Sequence, residues 1–135
     1  MAYLNPYLNF DGNCREAMTF YKSCFGGELT LQKIGESPMG ANLPQEMEQQ
    51  ILHSILSADG ITLMGSDMMG RGLDRGNGIM LCVNGNDGPS IEVIFEKLAR
   101  GGQVKMPLHE SFWGATYGEL TDRFGFHWMF NVYKS

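Results

Sequence analysis

Residues 79–102, IMLCVNGNDGPSIEVIFEKLARGG, read as a strand, a polar turn, an amphipathic helix and a glycine stop. Ile79 to Val83 is the β-branched and aliphatic run, and Asn84 to Gly88 is the turn. Ile91, Ile94, Phe95 and Leu98 then fall at i, i+3, i+4 and i+7, one helical stripe, with Asp87 or Ser90 as its N-cap. Gly101-Gly102 ends the helix where the chain needs a left-handed residue.

The same order occurs earlier in the chain. Tyr3 to Phe10 reads as a strand, Asp11 to Asn13 as a turn, and Asn13 as an N-cap with Glu16 three residues on. Ala17, Phe20, Tyr21, Cys24 and Phe25 form the stripe, and Gly26-Gly27 the stop. Gly26 and Gly101 are 75 residues apart, and the stripes starting at Ala17 and Ile91 are 74 apart. Each helix precedes three further strands. In the first half these are Glu28–Ile34, Gln50–Leu56 and Ile61–Met64, the last two joined at Asp59-Gly60, a dipeptide suited to a tight hairpin. In the second half they are Gln103–Met106, Ala115–Thr121 and Phe126–Tyr133, with a turn at Asp122–Gly125. The fold expected is α+β: two tandem βαβββ modules, about 1–66 and 79–135, joined by a glycine-rich linker into a single domain.

Composition narrows the function. The 135 residues carry 10 Lys+Arg against 15 Asp+Glu, a net charge of −5, and 43% are hydrophobic. The chain is large enough for an ordinary core, and its acidity argues against nucleic acid as a partner. Cys14, Cys24 and Cys82 are odd in number and form no C-x-x-C pair, so they read as reduced thiols. No run approaches the roughly 18 apolar residues of a membrane span, and Met1 to Phe10 lacks a basic n-region. A cytoplasmic location is the expectation.

Pro6-Tyr7-Leu8-Asn9-Phe10, Asn13-Cys14, Phe20-Tyr21, Leu63-Met64-Gly65-Ser66-Asp67, Glu110-Ser111-Phe112-Trp113-Gly114 and Thr121-Asp122-Arg123-Phe124-Gly125 with Trp128 and Asn131 span nearly the whole chain. Together they resemble the vicinal oxygen chelate superfamily of glyoxalases, bleomycin-resistance proteins and extradiol dioxygenases, and its PhnB-like branch most closely. The resemblance implies two cupped mixed sheets in a homodimer. It also implies metal ligands on the first and last strands of each module, and these fall here at Pro6, Met64, Ile79 and Met129. None of the four binds a hard divalent ion, so a metal-free member without a cofactor is the reading. Relatives of this branch are sometimes labelled methyltransferase-like, but the glycine loop of a common methyl-donor fold is missing.

The remaining candidates are few. His53, between Leu52 and Ser54 and counted on the face of Ile51 and Ile55, is either a satisfied core histidine or, facing a cavity, a group for proton transfer near neutral pH. His127 lines the same face as Met129 and Asn131 by period-two spacing. Glu110, Phe112 and Trp113 stand at a mouth, where the aromatics either stack a planar ligand or pack on a dimer partner. His109 reads as solvated, and Asp67 as an acceptor of backbone hydrogen bonds in the linker. Met64, Met68, Met69, Met80 and Met129 are either core or an adaptable lining. The function expected is a metal-free cup for a small, apolar or aromatic ligand, with His53 as an orienting or catalytic group. The alternatives are a lyase, isomerase or dioxygenase-type enzyme with a relocated metal set of His53, Glu110 and His127, a cofactor-free proton-transfer catalyst, or a subunit-interaction module.

Overall fold

The structure, a computed structural model, describes residues 2–68, 70 and 72–133. The chain divides into two compact units, Met1–Asp74 and Arg75–Ser135, with the boundary inside the glycine-rich stretch. In the first unit the order is β1 (Tyr7–Phe10), α1 (Cys14–Phe25), β2 (Glu28–Lys33), β3 (Ile51–Ala58) and β4 (Ile61–Asp67). In the second it is β5 (Leu81–Gly85), α2 (Gly88–Ala99), β6 (Gln103–Glu110), β7 (Thr116–Thr121) and β8 (His127–Val132). Each unit forms one four-stranded mixed sheet, ordered β1-β4-β3-β2 and β5-β8-β7-β6. The first strand of each module runs parallel to the last, and the other pairs are antiparallel. The two orders are the same once the modules are aligned in sequence, as the repeat predicts.

Each helix covers one face of its sheet. Alternation along a strand sends successive side chains to opposite faces. Leu8, Phe10, Ser54, Leu56, Leu63 and Asp67 are therefore buried on one face, as are Cys14, Ala17, Met18, Tyr21 and Cys24 along α1. The buried stripe of α1 is rotated from the predicted one: Cys14 and Met18 are buried and Phe20 and Phe25 only half-buried. In the second unit Leu120, Trp128, Phe130 and Val132 are buried in the sheet, and Ile91, Phe95 and Leu98 along α2, with Phe95 edge-on to Phe130 at 5.1 Å.

Several expectations are corrected. Asn13 makes no side-chain cap; the Cys14 amide donates to Asp67 Oδ1 at 3.0 Å and the Ile51 amide to its Oδ2 at 2.8 Å. Asp67 thus accepts backbone hydrogen bonds as expected, but from α1 and β3 and not from the linker. β2 ends at Lys33 and not at Ile34, and three short 3-10 turns, the first at Ile34–Glu36, lead from it to β3. β6 runs past Pro107 to Glu110, because β6 is an edge strand, where a missing N–H is tolerated. β1 starts at Tyr7 and not at Tyr3, and β5 at Leu81 and not at Ile79. Gly27 and Gly102, the second members of the two glycine pairs, lie where a Cβ would overlap the carbonyl oxygens of Ser57 and Thr121.

Candidate functional site

The faces that carry no helix hold the residues left over for chemistry. In the first unit, Tyr7 pairs with Met64 and Met64 with Ile55. The expected grouping of His53 with Ile51 does not hold. One step of β2 from Gln32 to Lys33 spans two steps of β3 from His53 to Ile51, a bulge at Leu52 that moves Ile51 to the helix side. His53 shares the open face with Ile55 and Tyr7. Its Nδ1 lies 3.3 Å from the Tyr7 hydroxyl, with the rings stacked at 6.0 Å and 25°.

The open face of the second sheet is richer. Register pairs Cys82 with Met129, Asn84 with Asn131, Tyr117 with Asn131, Glu119 with Met129 and with Met106, and Thr121 with His127. The β6–β7 loop turns at Gly114 (φ 88°), with Ser111 and Ala115 exchanging hydrogen bonds across it. That turn lays Trp113 beside Tyr117, ring centroids 5.4 Å apart and planes at 75°. The Trp113 indole N–H donates to Asn131 Oδ1 at 3.2 Å, and the Asn131 amide nitrogen donates to Asn84 Oδ1 and to the Tyr133 hydroxyl. Phe112 stands edge-on to Trp113 at 4.9 Å, and His109 edge-on to Tyr117 at 6.2 Å. The result is an aromatic corner, held by one amide, at one end of the sheet. A recess of about 570 Å³ opens at the same end, lined by Asn86, Asp87, Pro89, Thr116, Val132 and Tyr133; it contains none of the residues expected at the site.

Glu119 places a carboxylate on this face. The Tyr117 hydroxyl donates to its Oε2 at 2.7 Å. Burial, the hydrogen bond to Glu119 and the Glu119 charge together push the Tyr117 phenol up to about 12. Burial also raises the Cys82 thiol, against a hydrogen bond with Asn84 that lowers it. At the opposite end, His127 Nδ1 sits 2.9 Å from Thr121 Oγ1.

The expected residues are brought together only in part. Trp113 joins the corner and Phe112 flanks it, while Met129 and His127 lie on the open face. Glu110 pairs with Thr116, one register step from the His109–Tyr117 pair, and so falls on the helix-bearing face. It also lies at the opposite end of β7 from His127, which pairs near Thr121. Five steps along the strand separate their partners Thr116 and Thr121, roughly 17 Å, so Glu110 and His127 cannot share one ion. Among the described residues no group of three or more His, Cys, Asp or Glu could hold a metal. Met64 and Met129 are in register with Tyr7 and Cys82, not with Pro6 and Ile79. A thioether paired with a phenol, or with a thiol whose pKa is raised, does not fit a hard divalent ion. Of the proposed methionine lining, Met64 and Met129 face the open sides, Met106 joins them, Met68 and Met80 flank strand ends, and Met69 lies outside the described residues.

Tyr7, Tyr117 and Glu119 were missed as site residues, and His109 was read as solvated. The period-two set Tyr117, Glu119, Thr121 on β7 was legible as one polar face, and it matches Asn131, Met129, His127 on β8 residue for residue.

Comparison with known proteins matches residues 2–130 to the family model described as 3-demethylubiquinone-9 3-methyltransferase. The chain is 36% identical over 141 residues to Protein YjdN of Escherichia coli K12, covering 97% of this chain and 95% of that one. The crystal structure of PA1353 from Pseudomonas aeruginosa is 36% identical, covers all of both chains and superposes with a TM-score of 0.87. A Bacillus cereus PhnB protein, titled a putative 3-demethylubiquinone-9 3-methyltransferase, shares the fold at 24% identity and a TM-score of 0.77, covering 97% of this chain and 99% of that one. The fosfomycin-resistance protein FosX of Listeria monocytogenes shares it at 10% identity and a TM-score of 0.67, over 98% and 94% of the two chains. With two βαβββ modules and a match along nearly its whole length, the chain belongs to the family described as 3-demethylubiquinone-9 3-methyltransferase, the PhnB-like branch of the glyoxalase and bleomycin-resistance fold.

Proposed function

We propose that this protein binds a small planar molecule on the open face of its second sheet, without using a metal. The observation that carries this reading is the corner of Trp113 and Tyr117, with the indole tied to Asn131. Two aromatic rings fixed at a steep angle offer one face for stacking and one edge for contact, at little conformational cost on binding. Asn131 and Glu119 supply the polar groups that would orient a ligand. On the first sheet, His53 and Tyr7 form a smaller station, and His53 is proposed as an orienting hydrogen-bond group. The family's description names a quinone precursor, whose ring is one planar molecule suited to such a corner, so demethylated quinones belong among the first compounds to test.

The experiment is a titration of tryptophan fluorescence and melting temperature with small aromatic compounds. Binding should raise the melting temperature, and Trp113→Ala should weaken it roughly tenfold or more. Equal binding by the Trp113→Ala chain would remove the corner from the function. A homodimer in the cytosol is part of the same proposal: Phe112, 98% exposed, is well placed to meet a partner copy. Sedimentation of Phe112→Ser should show a weakened dimer, and an unchanged dimer would take Phe112 out of the contact.

A further inference from the structure

We infer that the ligand held by the aromatic corner is an organic cation, a primary or substituted ammonium on an aromatic body. This rests on the binding reading above and names the chemistry of the same site. Glu119 is half-buried in the middle strand pair of the open face, with Met129 on one side of it in register and Met106 on the other. Its hydrogen-bond partner is the neutral Tyr117 hydroxyl, and among the described residues no lysine, arginine or histidine pairs with it. A carboxylate partly removed from water among thioethers and rings is costly until a positive charge meets it.

Tyr117, the ring that touches Glu119, belongs to a group of rings that suits such a charge. Trp113 meets Tyr117 at 75°, His109 meets Tyr117 at 81° and Phe112 meets Trp113 at 90°. Walls at right angles present electron-rich faces from more than one side, the arrangement that recognises alkylammonium groups. A neutral planar ligand would use the rings and leave Glu119 without a counter-charge, and an anion would be repelled by it. The net charge of −5 favours the approach of a cation from solution.

The test uses the full chain and two probes that share a ring and differ only in charge, tyramine and 4-ethylphenol, titrated by calorimetry near neutral pH. The expected result is tyramine binding about tenfold or more tighter than 4-ethylphenol, with the preference weakening as salt is added. Glu119→Gln keeps the shape and an acceptor for Tyr117, and should bring the two probes within about twofold of each other. Equal binding of the two probes by the wild type, or an unchanged preference in Glu119→Gln, would overturn the cation assignment and leave the aromatic site standing. Binding of neither probe, or binding of both unaltered by Trp113→Ala, would overturn the site itself.

Discussion

Asp67 and Asp122, each 3% exposed, stand at different places in their modules, the end of β4 and the β7–β8 turn, and both act on structure. Asp122 accepts the amides of Phe124 and Phe126 and the Trp128 indole N–H, the last at 2.8 Å. The Thr121–Gly125 motif with Trp128, a mark of the resemblance, is thus a hairpin staple. Asp122→Ala removes the carboxylate that these three donors share, and should lower the free energy of unfolding in urea by roughly 3 kcal/mol or more. A loss below about 1 kcal/mol would mean that water reaches these donors. Tyr117 offers a spectroscopic check on the open face: its phenol ionises only near 12, and removal of the Glu119 charge in Glu119→Gln should bring the ionisation to lower pH, read as tyrosinate absorbance. At this scale the sequence was only half legible. Trp113 and Met129 could be picked out as single residues, but His53 could not be placed, because the bulge that turns Ile51 away from it arises from pairing with β2, not from any residue type in β3.

The two helices and the Asp59-Gly60 hairpin were legible because each depends on contacts within a few residues. Strand ends were not, since they depend on the neighbour across the sheet. Pro107 reads as a stop, yet β6 continues past it with register shifts between Val104 and Met106 and between Met106 and His109. The glycine pairs show the opposite case, a local signal with a long-range cause: Gly27 and Gly102 bring the end of each helix against the hairpin of its own sheet. Gly102→Ala should therefore cost about 1–3 kcal/mol from overlap with backbone that has no room to move, measured as a fall in the urea midpoint. Gly60→Ala would instead test the turn alone, since a Cβ there meets nothing and only its φ of 71° is strained.

For the chain as a whole, one buried thiol ties stability to alkaline pH. The Cys14 thiol, beneath α1 and 3.6 Å from Ser54 Oγ, is pushed by burial from 9.0 up to about 12. Between those values the unfolded chain has released a proton that the folded chain keeps, so stability falls as pH rises from about 9 to about 12. Cys14→Ala should flatten that decline in denaturant titrations at several pH values. The fold and its repeat were readable across the whole length because order and punctuation survive where identity does not; the site was not, because it is made by the register between strands, which no single stretch of sequence states. Of the three thiols, Cys14 and Cys24 are buried and Cys82 is exposed, beside Met129 on the face of the aromatic corner. A maleimide dye added to the native protein should couple once, and after denaturation three times. The natural chain therefore comes with an attachment point for a fluorophore or spin label on its open face, and ligand arrival can be followed there without introducing a cysteine.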